Sequence, residues 1–153
     1  MDKTSPTNSI IHVHSNSSDQ TEMAGADFGR WLATHKPQGG VFVAMSGDLG
    51  AGKTTFVRGV ASVISPSTHA SSPSYAIINH YGGPREMYHC DLYRITSEDD
   101  LVSVGFYDLI DSGIVFVEWA SVMDAIPVKE YFTVDISKVD ENRREIVVRA
   151  VCD

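Results

Sequence analysis

The chain has 153 residues, a length that favours one domain with a single hydrophobic core. With 42% hydrophobic and 21% charged residues it has the composition of an ordinary globular protein, and no apolar stretch approaches the roughly 20 residues of a membrane-spanning helix. A formal net charge of −8 argues against a tight, independent grip on RNA or DNA, which depends mainly on Lys and Arg. The polar N-terminal residues match neither a secretory signal nor a transit peptide. We therefore expect a cytoplasmic protein that has no membrane attachment and that meets nucleic acids only indirectly.

The first predicted elements are an edge strand over Ser9–Ser15 and a helix that ends before Pro37. Ser18 or Asp19 is the expected N-cap of this helix. Its apolar residues recur at helical spacing: Ala24, Phe28, Trp31 and Leu32. One domain is expected to span residues 1–153, with residues 1–8 flexible.

A strand, a glycine-rich loop and a helix come next. Val41–Ser46 is apolar enough to be buried on both faces, as a central parallel strand is. The loop GDLGAGKTT occupies residues 47–55, and the apolar spacing predicts a helix from Lys53 to about Ser65, where Pro66 stops it.

Antiparallel strands are predicted in the second half of the chain. Ser72–Tyr81 and Arg85–Arg94 are strand-like and are joined by the turn Gly82–Pro84, which indicates a hairpin. A short helix that starts after Thr96 or Ser97 follows, since its first turn is acidic.

The last predicted elements are three strands. Ile114–Val117 is a second fully apolar strand, and Tyr131–Ile136 and Glu145–Val151 flank a polar turn over residues 138–144. The whole pattern predicts an α/β protein with a P-loop NTPase-like three-layer fold, whose mixed sheet includes antiparallel hairpins.

The glycine-rich loop fits the phosphate-binding pattern G-x-x-x-x-G-K-[ST] over residues 47–54. Its glycines let backbone N–H groups point inward, Lys53 reaches the β- and γ-phosphates, and the hydroxyl of Thr54 can bind Mg²⁺. The predicted nucleotide-binding residues of the loop and the following turn are Asp48, Leu49, Gly50, Ala51, Gly52, Lys53, Thr54 and Thr55.

Two acids follow predicted strands and are the candidate catalytic residues. Glu118 comes directly after Ile114–Val117, and Asp91 ends the segment MYHCD. Ligands of open α/β sheets gather at such strand ends. Glu118 is assigned to the metal site together with Thr54, and the other acid would orient water. Which of Asp91 and Glu118 touches the metal directly is left open by the sequence.

Four motifs in this order and spacing resemble the TsaE (YjeE) family, the bacterial ATPase subunit for threonylcarbamoyladenosine synthesis on tRNA: GDLGAGKTTFVRGV, SPSYAIINHY, HCDLYRI and VFVEWA. The likeness extends from about Thr21 to Asp124. It implies that Ser74 lies near the γ-phosphate, where the family usually has Thr, and that Trp119 belongs to the nucleotide site with Glu118. Ser121 stands where the family often has a second acid, so that role is not carried over.

The resemblance also implies a function. The protein would be an accessory ATPase, slow alone and stimulated by its partners, that uses ATP and Mg²⁺. Its partners would be the subunits of a threonylcarbamoyltransferase complex, which ATP hydrolysis resets between turnovers. Contact with tRNA would belong mainly to those partners, in keeping with the acidic charge of this chain.

The sequence also leaves two alternative functions open. A small P-loop kinase usually carries an arginine-bearing lid, but no arginine occurs between Trp119 and Ile136. A GTP switch is suggested by Ser137–Asp140, which faintly resembles the guanine-reading N-K-x-D, but no D-x-x-G motif follows an apolar strand. The segment around residue 140 is equally well explained as a turn.

Overall fold

The structure, a computed structural model, describes residues 9–47, 50–66, 78–92, 95–103, 105–118 and 126–152. The prediction for residues 1–8 therefore lies outside the described part of the chain. The described helices and strands are, in chain order, β1 Ser9–Ser15, α1 Ser18–His35, β2 Val41–Gly47, α2 Lys53–Ile64, β3 Ile78–Tyr81, β4 Met87–Asp91, α3 Glu98–Ser103, α4 Phe106–Ile110, β5 Ile114–Glu118, β6 Glu130–Lys138 and β7 Arg144–Cys152.

The strands form one mixed sheet in the order β1-β7-β6-β2-β5-β4-β3. β2 lies at the centre and is parallel to β5 and β6, while β4 is parallel to β5. Antiparallel pairs complete both sides: β3 with β4, and β7 with β6 and β1. The predicted central β2, edge β1 and antiparallel hairpins are confirmed. The carboxyl ends of β2, β4 and β5 meet at one edge of the sheet, so the residues that follow these strands come together there.

Helices cover both faces of the sheet and give three layers, as predicted. On one face, α1 and α2 form a hydrophobic core that includes Phe56 of α2 and Phe116 of β5. On the other face, α3 and α4 form a second core that includes Phe106 of α4 and Val115 of β5. Successive residues of β5 thus serve opposite cores, because side chains alternate along a strand. Within the described residues, no helix is long and apolar enough to cross a membrane.

The start of α1 differs from the prediction. Its N-cap is Ser17, which directly precedes the two predicted candidates Ser18 and Asp19. The Ser17 side chain accepts a hydrogen bond from the backbone N–H of Gln20 at 3.1 Å. Several good N-cap residues follow one another here, so local preference could not choose among them. The hydroxyl groups of Ser15 and Thr21 lie 2.7 Å apart and join β1 to the first turn of α1.

The predicted short helix after Ser97 is two helices, α3 and α4. Gly105 separates them with φ 76°, a left-handed conformation that an α-helix cannot continue through. Ser97 rather than Thr96 caps α3, since its hydroxyl accepts from the backbone N–H of Asp100 at 3.2 Å. Both short helices still pack on the same face of the sheet.

Candidate functional site

The glycine-rich loop joins the carboxyl end of β2 to α2, as predicted. Gly50 and Gly52 have φ angles of 78° and 107°, which glycine adopts much more readily than other residues. Gly52 is the N-cap of α2, and its carbonyl accepts from the N–H of Phe56 at 2.9 Å. The loop therefore turns sharply enough for the helix to begin directly after its last glycine.

The first turn of α2 offers backbone N–H groups that the helix itself cannot satisfy. Those of Lys53, Thr54 and Thr55 precede Phe56, the first N–H that is bonded within the helix. The aligned peptide dipoles make this end of the helix positive, and its described first turn carries no acidic side chain. The loop and helix thus fit an anion such as a phosphate group.

Lys53 and Glu118 meet at the end of the sheet beside this loop. Lys53 Nζ lies 3.1 Å from Glu118 Oε1 and donates to the Gly47 carbonyl at 3.0 Å. The second carboxylate oxygen, Oε2, lies 2.5 Å from His89 Nε2. Glu118 and His89 are 8% and 4% exposed, so both contacts of the carboxylate are buried.

The charge state of Glu118 follows from these contacts. Burial alone raises the pKa of Glu118, but hydrogen bonds and charge attraction from His89 and Lys53 lower it by more, so its pKa lies below the usual value. The carboxylate is therefore ionised at neutral pH. Because an ionised carboxylate can only accept hydrogen bonds, the proton in the contact with His89 is on Nε2 of the imidazole.

Asp91 is exposed at the end of β4, directly opposite Glu118 in the β4–β5 register. The backbone N–H of Leu92 donates to the Glu118 carbonyl at 3.1 Å, which holds the two strand ends together. The neighbouring Cys90 points into the other core, where burial raises the pKa of its thiol to about 12. A thiolate nucleophile at this position is thereby excluded.

Some of the other predicted site residues lie in the described part of the chain, and the rest lie outside it. Thr54 is exposed on the first turn of α2, while Thr55 is half-buried beside it. Ala51 is buried in the loop. The remaining predicted residues lie outside the described part of the chain: Asp48, Leu49, Ser74 and Trp119.

A polar pocket of about 290 Å³ opens beside the loop. Its walls come from the segment that enters α1, from the loop with α2, and from the turn between β6 and β7. The polar side chains among them are those of Asn16, Ser17, Ser18, Thr21, Thr55, Glu141, Asn142 and Arg144. Arg144 ties the turn to the loop, because its Nε donates to the Ala51 carbonyl at 3.2 Å.

The segment that faintly resembles a guanine-reading motif, Ser137–Asp140, runs from the last two residues of β6 into the β6–β7 turn. Asp140 accepts hydrogen bonds from the backbone N–H groups of Asn142 and Arg143, at 3.0 and 2.9 Å. It also accepts from Nε of Arg143 at 2.6 Å. The carboxylate that would read guanine is therefore engaged in shaping the turn, as expected of a hairpin.

Sequence reasoning missed His89 as a partner of Glu118 and missed the pocket altogether. No sequence signal links His89 to Glu118, although the alternation of side chains along β4 places it on the same face as Asp91. The pocket residues carried no such signal. They lie as far apart in the sequence as Asn16 and Arg144, and only the sheet order brings them together.

The donor atoms at this site suit a hard cation such as Mg²⁺, which prefers oxygen ligands and usually keeps several waters. Thr54 offers a hydroxyl and Glu118 a carboxylate. No cluster of three or more His, Cys, Asp or Glu side chains arranged to hold a metal occurs among the described residues.

The fold is α/β with a mixed sheet. Its central parallel strand, the glycine loop and the helix that starts with a lysine define a protein of the P-loop class. The crystal structure of YdiB from Bacillus subtilis has the same fold: it superposes with a TM-score of 0.67 at 23% identity, over 94% of this chain and 86% of that one. The predicted fold class is therefore confirmed.

The family model described as "Threonylcarbamoyl adenosine biosynthesis protein TsaE" matches residues 15–146. The protein named tRNA threonylcarbamoyladenosine biosynthesis protein TsaE from Bacillus subtilis is 34% identical over 113 residues, 73% of this chain and 71% of that protein. The protein of the same name from Treponema pallidum is 31% identical over 137 residues, 88% of this chain and 96% of that protein. The chain belongs to the TsaE family. The predicted resemblance, and the connection with tRNA modification that it implied, are confirmed.

Proposed function

We propose that this chain, as one domain, is an ATP-binding and ATP-hydrolysing accessory subunit that serves the threonylcarbamoyladenosine modification of tRNA. The observation that carries the proposal is the meeting of Lys53 with the buried, ionised Glu118 at the mouth of a glycine loop. A structural turn before a helix would need neither group. A phosphate-binding site that also hydrolyses its ligand needs both a cation for the phosphates and an acid near the reacting group.

The phosphates of ATP would be held by the chain's own donors. Backbone N–H groups at the start of α2 and the ammonium of Lys53 converge on one region, beside the left-handed Gly50 and Gly52. Thr54 and Glu118 would hold Mg²⁺, which when bound neutralises charge on the phosphate oxygens. The preorganised donors act in a partly buried site, where such interactions are stronger than in water.

Asp91 and Glu118 are the proposed catalytic acids, Glu118 as a ligand of Mg²⁺ and Asp91 as the residue that orients the attacking water. Glu118 is held by its neighbours in the ionised form that a metal ligand needs. Asp91 lies beside it on the next strand and is open to solvent, which suits a residue that orients a water molecule. The roles expected for Asp48, Leu49, Ser74 and Trp119 stay predictions.

The nucleoside of ATP is proposed to lie in the polar pocket beside the loop. The pocket adjoins Gly50, Ala51 and Gly52, so a phosphate chain on the loop would lead directly into it. Hydroxyl, amide and guanidinium groups in its lining can hydrogen-bond to a ribose and a base. This supports a nucleoside triphosphate rather than a small inorganic anion as the ligand.

The partners are proposed to be the subunits of the threonylcarbamoyltransferase complex. The relatives' names refer to the biosynthesis of this modification, and the hydrolysis of ATP would reset the transferase between turnovers. A net charge of −8 supports indirect contact with tRNA through these partners. We expect the protein to work in the cytoplasm, where such a complex would meet its tRNA.

The nucleotide site is tested by thermal unfolding of the full chain with ATP, GTP or neither, in the presence of Mg²⁺. At a ligand concentration 100 times the Kd, binding to the folded state adds about 2.7 kcal/mol, which raises the Tm of a chain of this size by about 5–10 °C. ATP should stabilise the wild type, and Lys53→Ala should abolish the effect. Lys36→Ala is the matched control, because Lys36 is half-buried at the end of α1, where it pairs with Glu130.

Two results would contradict this assignment. One is an equal rise in Tm for Lys53→Ala and the wild type, which would remove the lysine from the phosphate site. The other is a rise with GTP and none with ATP, which would favour the GTP switch. Each variant is compared with its own nucleotide-free sample, so a change in the stability of the empty fold does not affect the result.

A further inference from the structure

We propose that His89 is a positioning residue that fixes one oxygen of Glu118 while Lys53 binds the other only until nucleotide arrives. This proposal rests on the proposed ATPase function and adds a residue to its site. The two oxygens of Glu118 have different partners: His89 Nε2 lies 2.5 Å from Oε2, and Lys53 Nζ lies 3.1 Å from Oε1. The carboxylate is thus held by an imidazole N–H on one oxygen and by an ammonium group on the other.

The sheet register explains why His89 can do this. β4 and β5 are parallel, with His89 opposite Phe116 and Asp91 opposite Glu118. Residues two apart on a strand point to the same face, so His89 and Glu118 both lie on the face covered by α2, where Phe116 is buried. The histidine therefore reaches the acid from the adjacent strand, in a buried part of the fold.

The surroundings of His89 indicate that its role is the hydrogen bond to Glu118. The side chain is 5% exposed, and its Nδ1 has no hydrogen-bond partner among the described residues. Burying an imidazole among apolar residues is costly unless its polar atoms are used. Among the described residues, the imidazole of His89 uses its Nε2 in the hydrogen bond to Glu118.

Lys53 differs from His89 because its ammonium group has acceptors other than Glu118. Its ammonium already bonds the Gly47 carbonyl as well as Glu118, and a lysine side chain is long and flexible. A phosphate on the loop competes with Glu118 for this ammonium. When Lys53 turns to the phosphate, Oε1 loses its partner and becomes available to the reacting centre, while Oε2 stays on His89 and keeps the carboxylate oriented.

The first test compares His89→Leu with His89→Gln in steady-state ATP hydrolysis by the full chain. Leucine keeps the bulk and removes the donor, whereas the amide nitrogen of glutamine can occupy the place of Nε2. Groups that orient a ligand or an acid typically contribute 10- to 100-fold. We expect His89→Leu to lower kcat by about that factor with the KM for ATP within about threefold, and His89→Gln to regain most of the rate.

His80→Leu is the matched control. His80 lies on the adjacent strand β3 and hydrogen-bonds to Glu86, away from Glu118. The same substitution there removes a histidine–carboxylate contact that has no part in the site. Its kcat and KM should stay close to those of the wild type.

The second test needs no turnover. Glu118→Gln removes the ion pair that competes with phosphate for Lys53, so ADP in the presence of EDTA should bind roughly fivefold more tightly than to the wild type, the effect of an ion pair of about 1 kcal/mol. His89→Leu leaves the Lys53–Glu118 pair in place and should give no tightening. Isothermal titration calorimetry measures both affinities.

The outcomes separate this proposal from the proposed function. A wild type that hydrolyses ATP beside an equally active His89→Leu would overturn the role of His89 alone, as would a His89→Gln that is as slow as His89→Leu. Unchanged ADP affinity in Glu118→Gln would overturn the exchange at Lys53. A wild type that binds ADP without hydrolysing ATP would contradict the ATPase, while the ADP measurements would still decide the exchange.

Discussion

Glu118 and Asp91 end neighbouring parallel strands, yet their surroundings give them different properties. Glu118 is buried, and the contacts with His89 and Lys53 hold its pKa below the usual value. Its folded-state pKa is lower than that of an unfolded chain, so its ionised form stabilises the fold at neutral pH, and this stabilisation is lost as the pH falls through the folded pKa. Asp91 is exposed and can be reached by water.

At the residue scale, we expect Glu118→Gln and Asp91→Asn each to reduce ATP hydrolysis by about 100-fold, the usual effect of removing a group that activates or orients the reacting atoms. Both variants should keep nucleotide-dependent stabilisation, since Lys53 and the loop remain. Phosphate release and thermal unfolding measure the two properties. Asp108→Asn, an exposed aspartate on α4, is the control. Full turnover by either site variant would exclude that residue from the mechanism.

At the scale of elements, the close approach of α1 and α2 decides where the pocket lies. A Cβ on Gly25 of α1 would collide with the Phe56 carbonyl, and one on Gly59 of α2 would collide with the Glu22 carbonyl. The two helices therefore meet backbone to backbone. This contact places Thr21 of α1 in the pocket wall beside Gly52 of the loop.

Gly25→Ala tests this packing. Alanine favours a helix by about 1 kcal/mol over glycine, but its methyl group has no room here, and overpacking costs about 1–3 kcal/mol, occasionally more. We expect urea unfolding to give a net loss of stability, together with weaker ATP binding because α1 must shift away from the loop. Gly82→Ala is the control, since a Cβ there meets His80 at an ordinary 3.6 Å. A Gly25→Ala variant as stable as the wild type would contradict the close packing.

At the scale of the whole molecule, the candidate site lies at the carboxyl ends of the parallel strands of an acidic protein. Thr54 and Asp91 are exposed there, so bulk water has access to the reacting region. A partner that covered this end would exclude water and strengthen the charge interactions inside it. A net charge of −8 favours a protein over tRNA itself as such a partner.

We therefore expect slow ATP hydrolysis by the isolated chain and at least about tenfold faster hydrolysis with the threonylcarbamoyltransferase subunits, a modest part of what closing a site can contribute. Purified tRNA alone should neither bind in an electrophoretic shift assay near physiological salt nor change the rate. Co-purification with the transferase subunits, with and without ATP, tests the assembly directly. Rapid hydrolysis by the isolated chain that does not respond to the subunits would contradict the accessory role.

The sequence by itself determined the central strand, the glycine loop, α2 and the two acids at strand ends. Local signals were sufficient there, because apolar runs, glycines and the Lys53–Thr54 pair act over a few residues. Local signals failed where several residues were equally suitable, as at the N-cap of α1, or where one backbone angle broke a helix, as at Gly105. Local signals could not indicate which of the neighbouring serines would be the N-cap of α1.

Only the tertiary structure decided the rest of the site. The parallel register of β4 and β5 brought His89 to Glu118 from 29 positions away, and the sheet order brought Arg144 of β7 against the loop at Ala51. The physical reason is that such contacts depend on strand order and helix spacing, which many distant residues set together. A pattern of neighbouring residues identifies the phosphate loop, and the packed sheet supplies the groups that orient its acid.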